Sequence, residues 1–249
     1  MPFLRDDGAP LDELLLAQRP ADGHRFEVRD AVVYVDPVSG RRYRAPAAGE
    51  APPPAGVTDL ASVPSPLWGF IASYGRQSAP AVLHDAQSLA ADGLGDRRRA
   101  LVQRREDDLV FRRALLEQGV PRMRAWLMWA WVSADRERAL SGVAGWLLLG
   151  QVGLGVLVAA ASVVLAIIAG PWWLALALVP AAAALPWRGL APLVLVLTYP
   201  LAAFGPLLLV HFLALVPFRL VEAVVEVFAG GDPRSVVRPT VARAAAERR

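Results

Sequence analysis

The sequence predicts an α+β protein: a small antiparallel β meander followed by three helices, then an α-helical membrane region of two or three spans. Three observations carry this expectation. Residues 24–46 alternate apolar and polar side chains around a turn signal. Residues from about 79 to 134 show helix-period apolar stripes between capping residues. Residues 143–218 contain a single formal charge, Arg188, which no soluble core requires.

The strand signals come first. In HRFEVRDAVVYVDPVSGRRYRAP the alternation falls on Phe26–Val28 and on Val32–Val35, and DPVSG precedes Arg41-Arg42-Tyr43 as a turn. The next stretch, AAGEAPPPAG, reads as a proline-rich loop. In TDLASVPSPLWGF, Pro64 and Pro66 prevent a regular helix and favour a fixed extended segment.

Three helices follow. The first is expected from about Ala79 to Ala90. The second begins near Asp96, an N-cap candidate, and ends at Gly119, a residue suited to the left-handed position just past a helix. The third starts with Pro121 in its first turn and carries Met123, Trp126, Leu127, Trp131 and Val132 towards the membrane. Tryptophans in this pattern are expected as core or interfacial anchors rather than as ligand-stacking rings.

The apolar run divides into blocks at about 143–169, 171–187 and 190–217. The first is ample for a hydrocarbon core of roughly 30 Å at about 1.5 Å per residue. The second is at the short limit but is flanked by Trp172, Trp173 and Trp187, as in an interfacial belt. The third holds Pro200 and Pro206, which a helix bundle accommodates as kinks. Block lengths favour three spans. The opening residues, MPFLRDDGAPLDELLL, lack the basic and apolar regions of a secretory signal. The N-terminal part is therefore expected on the cytoplasmic side of the inner membrane, and Arg136, Arg138 and Arg188 agree. The arginines from Arg219 to Arg249 also favour the inside, which suits two spans with a re-entrant middle block. The expected organisation is a soluble domain over 1–142, membrane helices over 143–218, and a basic, flexible tail over 219–249. Of the polar residues in the blocks, Gln151, Thr198, Tyr199 and His211, the histidine is read as packed and neutral, since no carboxylate accompanies it.

Composition excludes further classes. The pI near 9.9 suggests nucleic acid, but residues 1–142 hold 19 Arg and 19 acidic residues, so no basic face is concentrated there and no nucleic-acid partner is expected. All 26 basic residues are arginine and cysteine is absent, which removes disulfides, thiolate catalysis and zinc-thiolate sites.

Helical geometry selects the polar candidates. Leu101, Asp108 and Leu115 share a stripe seven residues apart, with Leu109 and Leu116 beside it, so Asp108 borders the buried face. It needs a partner, either Arg104 or Arg112 one turn away or a group across the domain. On the first helix Val82, Leu83, Ala86, Leu89 and Ala90 form one side. His84 is then opposite, facing solvent or a cleft, with Asp85 at the border.

The order TDLASVP (Thr58 to Pro64), Trp68, Gly75-Arg76, AVLHD (Ala81 to Asp85), RREDDLVFRRAL (Arg104 to Leu115) and GVP (Gly119 to Pro121) resembles the bacterial and phage family called domain of unknown function 1353. The resemblance covers about 26–134 and brings no established activity. Its polar motif positions correspond to Thr58, Asp59, Ser62, His84, Asp85 and Asp108. Two departures stand out. The family's His-Asp pair is typically followed by Leu-Tyr, where Gln87-Ser88-Leu89 stands here, and its Glu-Ala-Asp reads Glu106-Asp107-Asp108.

Three functions follow as expectations. One is an interaction or assembly module of phage-related type, tethered to the lipid bilayer and binding a protein partner. A second is a hydrolase-like or metal-binding enzyme in which Asp59, His84, Asp85 and Asp108 hold a divalent cation, or His84 acts as a base oriented by an aspartate. Ser62 lacks a nucleophile-elbow motif, and a phosphohydrolase of the His-Asp type needs more histidines than His24 and His84. The third is a lysis protein whose spans perforate the bilayer.

Overall fold

The computed structural model describes residues 2–19, 21, 25–60, 71–72, 74–233 and 236. The chain divides into two compact units, Met1–Ala86 with Leu207–Arg249, and Gln87–Pro206. The fold is α+β.

The first unit contains two three-stranded antiparallel sheets. One is formed by β1 (Phe3–Leu4), β4 (Val32–Val35) and β5 (Arg42–Ala45), with β4 central. The other is formed by β2 (Leu16–Gln18), β3 (Phe26–Val28) and β6 (Val57–Thr58), with β3 central. The small antiparallel β part expected from the sequence is thus present, divided into two sheets. The sequence neighbours β3 and β4 do not pair, because β1 and β5 take both edges of β4. Val32, Val33 and Tyr34 are all buried, as suits a central strand with a continuous apolar run, and the Tyr34 ring lies 5.2 Å from that of Phe3. The DPVSG turn forms as expected between β4 and β5. Asp36 Oδ2 accepts the Ser39 hydroxyl at 2.6 Å and its backbone N–H at 3.1 Å, and Gly40 takes the left-handed φ of +68°. Arg44 bridges Asp6 and Glu50 at 2.7 and 2.6 Å on the sheet surface, and its guanidinium draws the Asp6 carboxyl below the usual range.

Helix α1 (Ser78–Asp92) carries buried side chains in succession from Ala79 to His84. It is enclosed rather than two-faced there, so the expected polar side does not exist, whereas Leu89 and Ala90, expected inside, are exposed. Helix α2 (Arg97–Glu117) begins and ends as the sequence predicts. Asp96 caps it by accepting from the N–H groups of Arg98 and Arg99 at 2.8 and 3.0 Å. At the other end Gly119, at φ +75°, donates to the Leu116 carbonyl while Val120 donates to Leu115, both at 3.0 Å, a Schellman closure. The buried face is Val110, Phe111, Ala114 and Leu115; Leu109 and Leu116 are partly exposed. Helix α3 (Arg122–Leu140) returns antiparallel to α2, so that Arg97 reaches the carbonyls of Ala139 and Leu140.

Helix α4 (Val143–Ala169) follows a turn at Gly142. Its buried residues, Gly145, Leu148, Val152, Gly155, Ala159 and Ser162, are spaced three and four apart, and the small ones let neighbouring backbones approach closely. The block after it is no single regular helix. A 3-10 run (Pro171–Ala177), the short α5 (Leu178–Ala184) and a second 3-10 run (Leu185–Leu190) fold back along α4. Gln151 donates to the Ala183 carbonyl at 2.6 Å and accepts from Trp187 Nε1 at 2.7 Å. Helix α6 (Ala191–Ala229) continues through Pro200, Pro206 and Pro217. It passes the expected end at 217, and the expected flexible tail therefore begins as helix at Arg219. Trp129, Ala130, Leu148, Val152, Ala184, Leu193, Val194 and Leu197 form one apolar core in the second unit. Outward-facing Leu154, Leu157, Ile167 and Ile168 of α4 are well exposed. His211 is also exposed on α6 rather than packed.

Two helical stretches, Val143–Ala169 and Pro171–Ala229, are long and apolar enough to cross a membrane.

Candidate functional site

The candidates in the first unit meet where β6 and α1 approach. Thr58 ends β6 and is buried; its hydroxyl donates to Asp85 Oδ2 at 2.5 Å and accepts the Leu60 N–H at 2.9 Å. That second bond holds the backbone in a tight bend, and Leu60 has the left-handed φ of +61°, which is rare for a branched aliphatic residue. Asp59, between them, is exposed, whereas His84 is buried on α1 beside Asp85. Of the two settings expected for His84, solvent is thus excluded. Ser62 and His24 lie outside the described residues. Thr58→Val should remove both bonds and lower stability by about 1–3 kcal/mol, because Asp85 and the Leu60 N–H each lose a partner; thermal unfolding of the 249-residue chain in detergent measures it.

Asp108 belongs to the second unit and is fully buried there. Neither Arg104 nor Arg112 satisfies it. Ser133 Oγ donates to its Oδ2 at 3.0 Å, and Arg136 Nη1 forms a close ion pair with the same oxygen. Arg136 also donates to Glu137 Oε1 through Nε at 3.1 Å and Nη2 at 2.9 Å. Arg105 then grips Glu137 with two bonds of 2.9 Å, and Ser141 donates to Oε2. The arrangement is two buried carboxylates and one buried guanidinium, closed off by a second arginine that is 42% exposed.

Arg136 and Glu137 are the residues that sequence reasoning missed as a polar centre. Arg136 was expected as an orienting charge at the membrane face, yet it is 2% exposed and neutralised. The available signal was positional: Ala125, Trp129, Ser133 and Arg136 recur at helical spacing on one face of α3, so the arginine lies on the buried stripe.

Burial tends to raise the Glu137 carboxyl, but hydrogen bonds from Arg105 and Ser141 and the charges of Arg136 and Arg105 outweigh it and hold it below its ordinary 4.5. A depressed folded value means that the carboxylate stabilises fully above the unfolded value. This contribution disappears as pH falls through the lower folded value. Thermal unfolding between neutral pH and pH 3 should therefore show an acid-side loss below about 4.5, and Glu137→Gln should flatten that limb.

Among the described residues, no group of three or more His, Asp or Glu side chains is placed to hold a metal ion.

The model of a family described as protein of unknown function (DUF1353) matches residues 38–132. The match covers less than half of the chain. The match begins in the turn before β5, whereas the resemblance was expected from about Phe26, and it ends within α3. It contains Thr58, Asp85, Arg105 and Asp108, whereas Ser133 and Arg136, which bond Asp108, and Glu137 and Ser141 follow its last residue. At the departure after Asp85, both amide atoms of Gln87 and the Ser88 hydroxyl are buried without a hydrogen-bond partner among the described residues. No curated protein and no solved structure matches the chain.

Proposed function

We propose that this chain is an interaction or assembly module in which a DUF1353 domain is tethered to a membrane by its apolar C-terminal helices. The observation that carries the reading is the engagement of the acidic candidates in structural bonds. Asp108 is consumed by Ser133 and Arg136, and Asp85 accepts from Thr58. Buried carboxylates held in this way orient helices as readily as they do chemistry. The exposed apolar faces of α4 and α6 support the tether, since a monomer in water rarely leaves such an extent uncovered. In this reading the protein is a multi-pass protein of the cytoplasmic membrane with its N-terminal domain on the cytoplasmic side, bound to a protein partner there.

Asp85→Asn and Asp108→Asn should each lower the melting temperature of the chain in detergent. Calorimetric titration with Mn²⁺, Zn²⁺ and Mg²⁺ should give no heat that His84→Ala removes. Metal binding lost in His84→Ala at unchanged stability would instead support a hydrolase-like or metal-binding site of Asp59, His84 and Asp85. That second reading is favoured by the left-handed Leu60 beside Thr58, since backbone strain of this kind gathers at functional sites. A reporter fused to the C-terminus reads the sidedness: a cytoplasmic signal requires an even number of crossings.

A further inference from the structure

The second unit has an open apolar groove of about 370 Å³, lined by Met123, Trp126 and Leu127 of α3 and by Pro192, Leu195, Val196 and Pro200 of α6. Its size falls within the roughly 300–1,000 Å³ typical of sites for small organic ligands, but its lining offers almost no polar group to orient one. The α6 wall belongs to a stretch apolar enough to cross a membrane, so the groove is continuous with a surface that a bilayer would cover.

Cations border the groove. The Arg112 guanidinium lies 4.0 Å from the ring centroid of Trp126 and 4.8 Å from that of Trp129. Burial and the neighbouring Arg113 pull it below the ordinary arginine value. Arg122 and Arg124 are exposed on α3 either side of Met123, and a rotation of about 100° per residue places them on opposite flanks of the groove-facing stripe. Among the described residues none of these three arginines has a carboxylate partner. Apolar walls with an unneutralised cationic rim are complementary to an anion that carries a hydrocarbon chain.

We propose that the groove holds an acyl chain of an anionic phospholipid from the surrounding bilayer, with the headgroup phosphate met by Arg112, Arg122 and Arg124. The site rests on the membrane-tethered reading above. Trp126 serves both parts, because its ring carries the Arg112 cation and the residue also lines the apolar wall. A guanidinium held on an aromatic face keeps its N–H donors available to phosphate.

The test uses the 249-residue chain in detergent, offered equal amounts of phosphatidylglycerol and phosphatidylcholine with identical acyl chains, with bound lipid counted by native mass spectrometry. The chain should retain phosphatidylglycerol at least tenfold better. Each basic residue near a headgroup is worth about fivefold, equivalent to about 1 kcal/mol. Arg122→Gln with Arg124→Gln, both at exposed positions, should bring the two lipids to within a few-fold, and adding Arg112→Gln should bring them to parity. Leu195→Trp, which fills the groove, should reduce retention of both lipids with circular dichroism unchanged. Equal retention by the unmodified chain, or a preference that survives all three arginine replacements, overturns the proposal. Displacement of the lipid by millimolar inorganic phosphate also overturns it, since that describes a soluble-anion site. A chain that fails to float with phosphatidylcholine vesicles overturns the tether and the lipid site together, whereas a floating chain without headgroup preference overturns the lipid site alone.

Discussion

Arg136→Met is expected to destabilise the chain by about 3–5 kcal/mol, the cost of leaving buried charge without its partner. Two carboxylates depend on this one guanidinium. Asp108, 0% exposed, would lose its ion pair and keep the bond from Ser133, and Glu137, 1% exposed, would keep Arg105 and Ser141. Glu137 keeps the Arg105 guanidinium, whereas Asp108 loses its ion pair with Arg136. The double variant Arg136→Met with Asp108→Leu should recover part of the loss, since an apolar pair of similar volume frequently replaces a buried ion pair without penalty. Chemical unfolding in detergent, followed by circular dichroism, measures both. A loss below about 1 kcal/mol for Arg136→Met would mean that the network is solvated, as surface pairs are.

Gly145→Leu is expected to cost about 3 kcal/mol, the upper part of the range for forcing extra volume into packed structure. Gly145 is where the start of α4 passes the end of α3. A Cβ there would overlap the Glu137 carbonyl oxygen and lie 2.6 Å from its carbonyl carbon. Both are backbone atoms, so relief requires a helix to move rather than a side chain to rotate, and the residue that moves carries the Glu137 carboxylate. Gly150 and Gly153 on the same helix have open space where a Cβ would go. Gly150→Ala and Gly153→Ala should therefore leave stability unchanged or raise it by up to roughly 0.5–1 kcal/mol through helix propensity. Melting temperatures of the three variants decide the matter; a loss common to all three would point to glycine content rather than to close approach at Gly145.

Local features were legible in proportion to how few residues they involve. Asp96 and Gly119 bound α2 as read, because a cap is satisfied by N–H and carbonyl groups within a turn of it. The DPVSG turn is likewise closed by its own Asp36, Ser39 and Gly40. Strand partners were not legible. β3 and β4 are adjacent in sequence and alternate well, yet they join different sheets because β1 and β6, each two residues long, are too short to announce themselves by pattern. The face assigned to His84 failed for a related reason: helical periodicity separates a buried from an exposed side only when one side is solvated, and α1 is enclosed through His84.

By itself the sequence determined where the apolar region begins, which residues cap α2, and that residues from about 26 to 134 carry motifs resembling the DUF1353 family, whose model matches 38–132. These follow from composition and from contacts within a few residues. Only the tertiary structure decided that Asp108 pairs with Arg136 rather than with an arginine one turn away, and that Thr58 donates to Asp85. It also decided that Arg136 is an interior charge. A buried charge selects the partner that packing brings within hydrogen-bonding distance, and that distance is set by helices and strands meeting across long separations in sequence.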